Sequence, residues 1–169
     1  SMAFGTCSFI GGGCKNKASG VESSIVGGAS GTASGARSFI GGGGVNLASG
    51  EESTVVGGLS SCASGAEAAV LGGVYNRATG QRSVVVGGGN NITSGISAAT
   101  VAGDTNTSSG PAAFIGAGKN NEATATYTSI VGGLSNLVTG EGASVVGGVS
   151  GTACGTCSLV GGGTLNKAI

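Results

Sequence analysis

The chain of 169 residues has no His, no Trp and a single Pro, and only 8% of its residues are charged. Each absence removes a class of function. Without His there is no imidazole for a catalytic triad or for metal ligation. Seven Lys and Arg balance seven Asp and Glu, so the formal net charge is zero. Phosphate binding needs a basic face, and this balance argues against nucleic acid as a partner. No apolar run approaches the roughly 20 residues that span a bilayer. The start, Ser1-Met2-Ala3, has no basic region leading into a long apolar stretch, so no signal peptide is expected in this segment. Acidic residues are scattered and Asp104 is the only Asp. Glu51 and Glu52 are adjacent and are expected to point apart, so no carboxylate pair is placed for acid–base work. The reading is of a protein that is not an enzyme, has no cofactor and binds no metal.

What the chain has in abundance is Gly, 39 residues of it. Collagen would require Gly at every third position and much Pro. A flexible linker would lack the Val and Ile that recur throughout. The alternative is a repeat, and one is present with a period of 15 residues. Ile10, Ile25, Ile40, Val55, Val70, Val85, Thr100, Ile115, Ile130, Val145 and Val160 share one position. Gly follows three residues later in all 11 units, from Gly13 to Gly163. A second Gly series runs from Gly5 to Gly155 with Ala125 as its one exception. Ala18, Ala33, Ala48, Ala63 and Ala78 mark a further position, varied later as Thr93, Ser108 and Val138. Nothing interrupts the register, so residues 1–169 read as a single repeat domain. The chain stops inside a coil without a capping element, and it is expected to be a fragment of a longer protein.

Fifteen residues suffice for two short strands and two turns, one coil of an all-β, parallel β-roll or β-solenoid. Strand one is expected over segments such as Ser23 to Val26, and strand two over segments such as Asn46 to Ser49. Gly27-Gly28 and Gly50 are expected to supply the positive φ of the two corners. At about 4.8 Å per coil, 11 coils make a rod of roughly 50 Å. Asn16, Asn46, Asn76, Asn91, Asn106, Asn121, Asn136 and Asn166 recur at the entry to strand two and are expected to stack as a structural amide ladder.

Strand one carries an exchange of volume between its second and fourth residues, which share a face. Phe9 accompanies Gly11, Phe39 accompanies Gly41, Phe114 accompanies Gly116 and Leu159 accompanies Gly161. Small second residues accompany large fourth ones: Ser24 with Val26, Thr54 with Val56, Ala69 with Leu71, Ala99 with Val101, Ser129 with Val131, and Ser144 with Val146. Only Val84 with Val86 departs. Conserved volume suggests close packing on that face. The intervening Ile or Val points the other way, so both faces are apolar, and a rod-length apolar face invites self-association. The favoured assignment puts the Ile/Val inside the roll. It makes Phe9, Val26, Phe39, Val56, Leu71, Val86, Val101, Phe114, Val131, Val146 and Leu159 the interface between subunits. The residues alone also permit the reverse. Charges at the last position of successive coils, Glu22, Arg37, Glu52, Glu67 and Arg82, are spaced to pair from coil to coil.

SFIGGG at 38–43 followed by NLASG at 46–50 resembles the Gly-rich repeat ATVGGG…NTASG, and SVVVGG at 83–88 resembles the SVAIG strand. These belong to the YadA-like heads of trimeric autotransporter adhesins, with similar repeats in phage and viral fibre proteins. The resemblance covers essentially the whole chain. It departs in the cysteines and in a coil one residue longer than those heads use. It implies a left-handed roll, a homotrimer, and an extracellular setting on an outer-membrane-anchored protein or on a virion. The function it implies is a structural and adhesive rod for host or matrix attachment, with a receptor, matrix protein or glycan as partner. A fibre shaft is the alternative. An ice-binding solenoid fits less well, because Lys17, Thr32, Leu47, Cys62, Arg77, Ile92 and Thr107 do not form a regular Thr rank. Cys7, Cys14, Cys62, Cys154 and Cys157 are odd in number and read as small apolar residues rather than a disulfide framework. The sequons at Asn91 and Asn106 follow from the repeat template.

Overall fold

A computed structural model describes all residues from Ser1 to Ile169. The chain is all-β, a parallel β-solenoid of about 11 turns without helix. Strands pair in register at a separation of 15 residues, as in Phe39 with Thr54 and Leu47 with Cys62. They form a 12-stranded sheet through the Ala positions and an 11-stranded sheet through the Ile/Val positions. Strands are two residues long, Ser24–Ile25 and Leu47–Ala48 for example, and so shorter than the four residues expected. Left-handed corners and glycines close in from both sides and end the extended backbone early. A third ladder was not foreseen. Single-residue parallel bridges run from Cys14 through Ala29, Gly44 and Leu59 to Thr164.

Side-chain alternation places Ile25, Ile40, Val55, Val70 and Val85 inside, facing Ala18, Ala33, Ala48, Ala63 and Ala78. Burying each Ile or Val contributes about 1.5–3 kcal/mol. The interior is narrow, and Ser23, Ser38, Ser53 and Ser83 are buried where Ala68, Ala98, Ala113 and Ala143 stand in other coils. The hydroxyls of those serines have no partner, so in these coils it is small volume rather than a hydrogen bond that suits the column. The apolar core divides into two clusters, one from Ala18 to Val85 and one from Ala98 to Val160. Between them the buried Thr93 Oγ1 donates to Thr100 Oγ1 at 2.8 Å, and Ser108 Oγ donates to the Ala113 carbonyl at 3.0 Å.

The corners correct the expected role of Gly. Gly28 has φ +91°, but Gly27 and Gly50 do not adopt positive φ. Two further left-handed positions per coil are held mostly by other residues, among them Val45 (φ 55°), Tyr75 (57°), Glu52 (56°) and Arg82 (55°). Their backbone N–H groups reach back to the preceding coil, as in Val45 to Ala29 O and Glu52 to Ala36 O, both at 2.8 Å. These bonds offset the roughly 1–2 kcal/mol cost of the left-handed region. Gly50 is required for a different reason. A Cβ there would stand 2.0 Å from the Gly65 carbonyl oxygen of the next coil.

Ala125 occupies that tight column, and the ladder yields around it. Elsewhere the column's N–H bonds the next coil, as Gly110 bonds Ala123 O at 3.2 Å, and its carbonyl accepts a turn bond, as Gly110 O does from Ala113 at 3.1 Å. At Ala125 neither backbone bond forms. Instead Thr128 Oγ1 donates to Ala125 O at 2.8 Å and Thr124 Oγ1 donates to Val138 O at 3.3 Å. We predict that Ala125→Gly restores both bonds and raises stability by about 1 kcal/mol. Urea denaturation measures it, and a lowered midpoint would refute the account.

Candidate functional site: an apolar rod face and its amide spine

The outer face of the Ile/Val sheet carries the eleven residues singled out in strand one. Ten are 38–62% exposed and Phe39 is half-buried. Ile25 and its equivalents are buried beneath them, so the single chain presents the Phe and Val side chains outward and the Ile/Val side chains inward. The volume exchange has a cause within the single chain. The Phe9 ring lies over Gly11, with ring carbons 3.3 Å from where a Cβ would stand, and Phe39 and Phe114 cover Gly41 and Gly116 at 3.5 Å. A Cβ at these glycines would meet the next coil's backbone first, Val26 O at 2.7 Å, Val56 O at 2.4 Å and Val131 O at 2.6 Å, with the ring closing the space from the other side. No partner is needed to explain the exchange, and Gly161 beside Leu159 has open space around it. What does require explanation is the face itself. It runs the length of the rod, while isolated monomers seldom expose patches beyond a few hundred Å². The third ladder adds Leu59, Val74, Leu134 and Val149, each 40–45% exposed. Sequence reasoning missed them, although their shared position in the repeat was visible.

Beneath the surface runs the Asn column. All but the exposed Asn166 are buried. Asn46 Nδ2 donates to Gly42 O at 2.8 Å and to Gly58 O at 3.0 Å, so one amide ties its own coil's turn to the next. Its Oδ1 accepts the Ser61 N–H at 3.0 Å. Asn76, Asn91, Asn106, Asn121 and Asn136 continue this pattern through five successive coils. Asn106, Asn121 and Asn136 also donate to the preceding Oδ1 at 3.0–3.1 Å. These amides are consumed by backbone, so Asn91 and Asn106 offer nothing to a glycan despite their sequons. Ser61 breaks the column, and its buried hydroxyl has no partner. Ser61→Asn should let Oδ1 accept the Asn76 N–H, with a gain of about 1–2 kcal/mol in thermal or denaturant unfolding. An unchanged or lowered midpoint would refute it.

Charges behave only partly as the spacing suggested. Arg37 Nε donates to Glu52 Oε1 at 2.9 Å and Nη2 meets Glu51 Oε1 at 2.5 Å, so the two adjacent carboxylates converge on one guanidinium instead of pointing apart. That convergence raises the Arg37 pKa, the Glu52 hydrogen bond contributing most. Glu22 with Arg37 and Glu67 with Arg82 do not form ion pairs, because the salt bridges involve only Arg37 with Glu51 and Glu52, and Lys119 with Asp104 at 3.5 Å. Exposed pairs of this kind contribute little to stability. The five cysteines are free. His, Cys, Asp and Glu side chains nowhere gather in groups of three that could hold a metal. No helix is long and apolar enough to cross a membrane. No family model matches the chain, and no curated protein matches it in sequence.

Asp104 supplies a pH probe. The Asn90 amide donates to it at 3.4 Å and lowers its pKa, with smaller help from Thr105 and Lys119. A depressed carboxyl pKa gives stabilisation that is present above the ordinary carboxylate range and lost as pH falls through the folded value. Asn90→Ala should therefore move the Asp104 pKa upward in a carboxyl-carbon NMR titration. Identical titration curves for the two proteins would rule out this hydrogen bond as the cause.

Proposed function

We propose that the chain is a structural and adhesive rod segment of a homotrimeric surface protein, a non-enzymatic spacer that carries attachment faces outside the cell. The uninterrupted apolar outer face of the Ile/Val sheet carries this reading. Three left-handed rolls packed around an axis parallel to the rod would cover that face with other copies of the chain, through heterologous contacts that close into a ring about the three-fold axis. The resemblance of SFIGGG and NLASG to adhesin head repeats supplies the number three and the extracellular setting. The Ala sheet and the polar corners then face solvent and are free to meet a host receptor, a matrix protein or a glycan. A shaft of a phage or viral tail fibre is the second reading, favoured by the absence of any insertion across 11 coils, since a spacer needs length and stiffness more than ornament.

Sedimentation equilibrium tests the assembly. A homotrimer has three times the 15.5 kDa mass of the chain, and a monodisperse monomer would sink the proposal. Phe39→Asp, which buries a charge in the proposed interface, should dissociate or aggregate the assembly. An unchanged mass and melting curve in that variant would remove this face from the interface.

A further inference from the structure

A shallow groove of about 600 Å³ follows the rod axis at the corner between the third ladder and the Ala sheet. Ser60, Tyr75, Asn90 and Thr105 form one wall, and Cys62, Arg77 and Ile92 form the other. Its volume falls within the range of small-ligand sites. We propose that this groove binds an acidic oligosaccharide, with the Arg77 guanidinium on a sugar carboxylate and the Tyr75 ring on a sugar face. The inference deepens the adhesive reading and rests on it for the outward orientation of this surface.

Three observations carry it. Arg77 is exposed and takes part in none of the ion pairs, and the nearby Asp104 carboxylate is engaged by Asn90 and Lys119. The groove thus holds an uncommitted cation whose planar fork matches a carboxylate. Tyr75 is 54% exposed beside it, in the only coil that sets an aromatic residue at this corner together with a cation two residues on. Tyr combines an apolar face with a polar tip, which suits the C–H face and hydroxyls of a sugar. Finally, the groove walls have no backbone donors left. Tyr75 N–H bonds Leu59 O, Asn90 bonds Val74 O, Arg77 bonds Asn91 O and Ile92 bonds Asn106 O, all at 2.8–2.9 Å. An extended peptide therefore cannot add here as a strand. Recognition is left to side chains, and the Ser60 hydroxyl and the Asn90 amide oxygen, which the Asp104 contact leaves free, suit a hydroxyl-rich ligand.

Calorimetry with trigalacturonate, its methyl ester and a hexaglutamate peptide tests the site at low ionic strength. Two variants keep the coil intact, because the repeat already uses their new residues at the same positions: Arg77→Thr, as at Thr32 and Thr107, and Tyr75→Ser, as at Ser60 and Ser135. Trigalacturonate should bind the native rod. Affinity should fall about tenfold in Arg77→Thr and for the methyl ester, and should also fall in Tyr75→Ser. No binding to the native rod, equal affinity in Arg77→Thr, or equal affinity for the ester would overturn the proposal. Binding of hexaglutamate at least as tight would overturn it in favour of an acidic peptide. Sedimentation of the same samples keeps the two readings apart: a monomer that binds the sugar defeats the trimer and spares the groove, and a trimer that does not bind defeats the groove alone.

Discussion

The separation of successive coils governs the rest of the rod. In-register parallel pairing sets it at about 4.8 Å, and the backbone is stacked on itself so closely that some columns have no room for a side chain. At Gly43 a Cβ would meet the Gly58 carbonyl oxygen at 2.2 Å, with φ already at +86°. Space and dihedral angle act together at that position, which explains why all 11 coils keep Gly there. The amide column answers the same constraint from inside. Where the chain turns too sharply for backbone to reach backbone, the Asn side chain spans the gap between coils.

Much of this was legible in the sequence because a repeat converts a fold into columns. The period gave the coil; alternation put Ile25 and Ile40 on one face without deciding which, and the structure buries them, as the favoured assignment had it. Other features were hidden for identifiable reasons. The left-handed corners at Val45, Tyr75 and Arg82 carry residues that normally avoid that region, and only their backbone bonds to the preceding coil reveal them. Gly50 looked like a turn residue and is a close-contact residue. The pairing of Phe39 with Gly41 looked like a trace of a partner, yet the ring covers its own strand. Arg37 gathering both Glu51 and Glu52 depends on two adjacent corner positions leaning the same way, which spacing along a strand does not express.

The energetics are correspondingly local. Each coil touches only its neighbours, so stability accumulates as a sum of coil and interface terms. The facing Ala residues keep the interior thin, and no coil buries much by itself. The polar contact between Thr93 and Thr100 therefore separates two apolar stretches rather than perturbing one large core. The outer faces, by contrast, are free to vary as long as they respect the backbone. The groove at Tyr75 and Arg77 and the apolar face at Phe39 coexist on the same template because they occupy different columns.

The four coils that pair a large second residue with Gly at the fourth, at Phe9, Phe39, Phe114 and Leu159, are separated by two, five and three coils. No two of the distances among these four marks are equal. A parallel copy slid along the rod by any whole number of coils brings at most one of its marks level with a mark on the original. A uniform repeat would look the same after every step and give a neighbouring copy no preferred height. These bulky residues label the rod like an uneven ruler, on which only one alignment matches throughout.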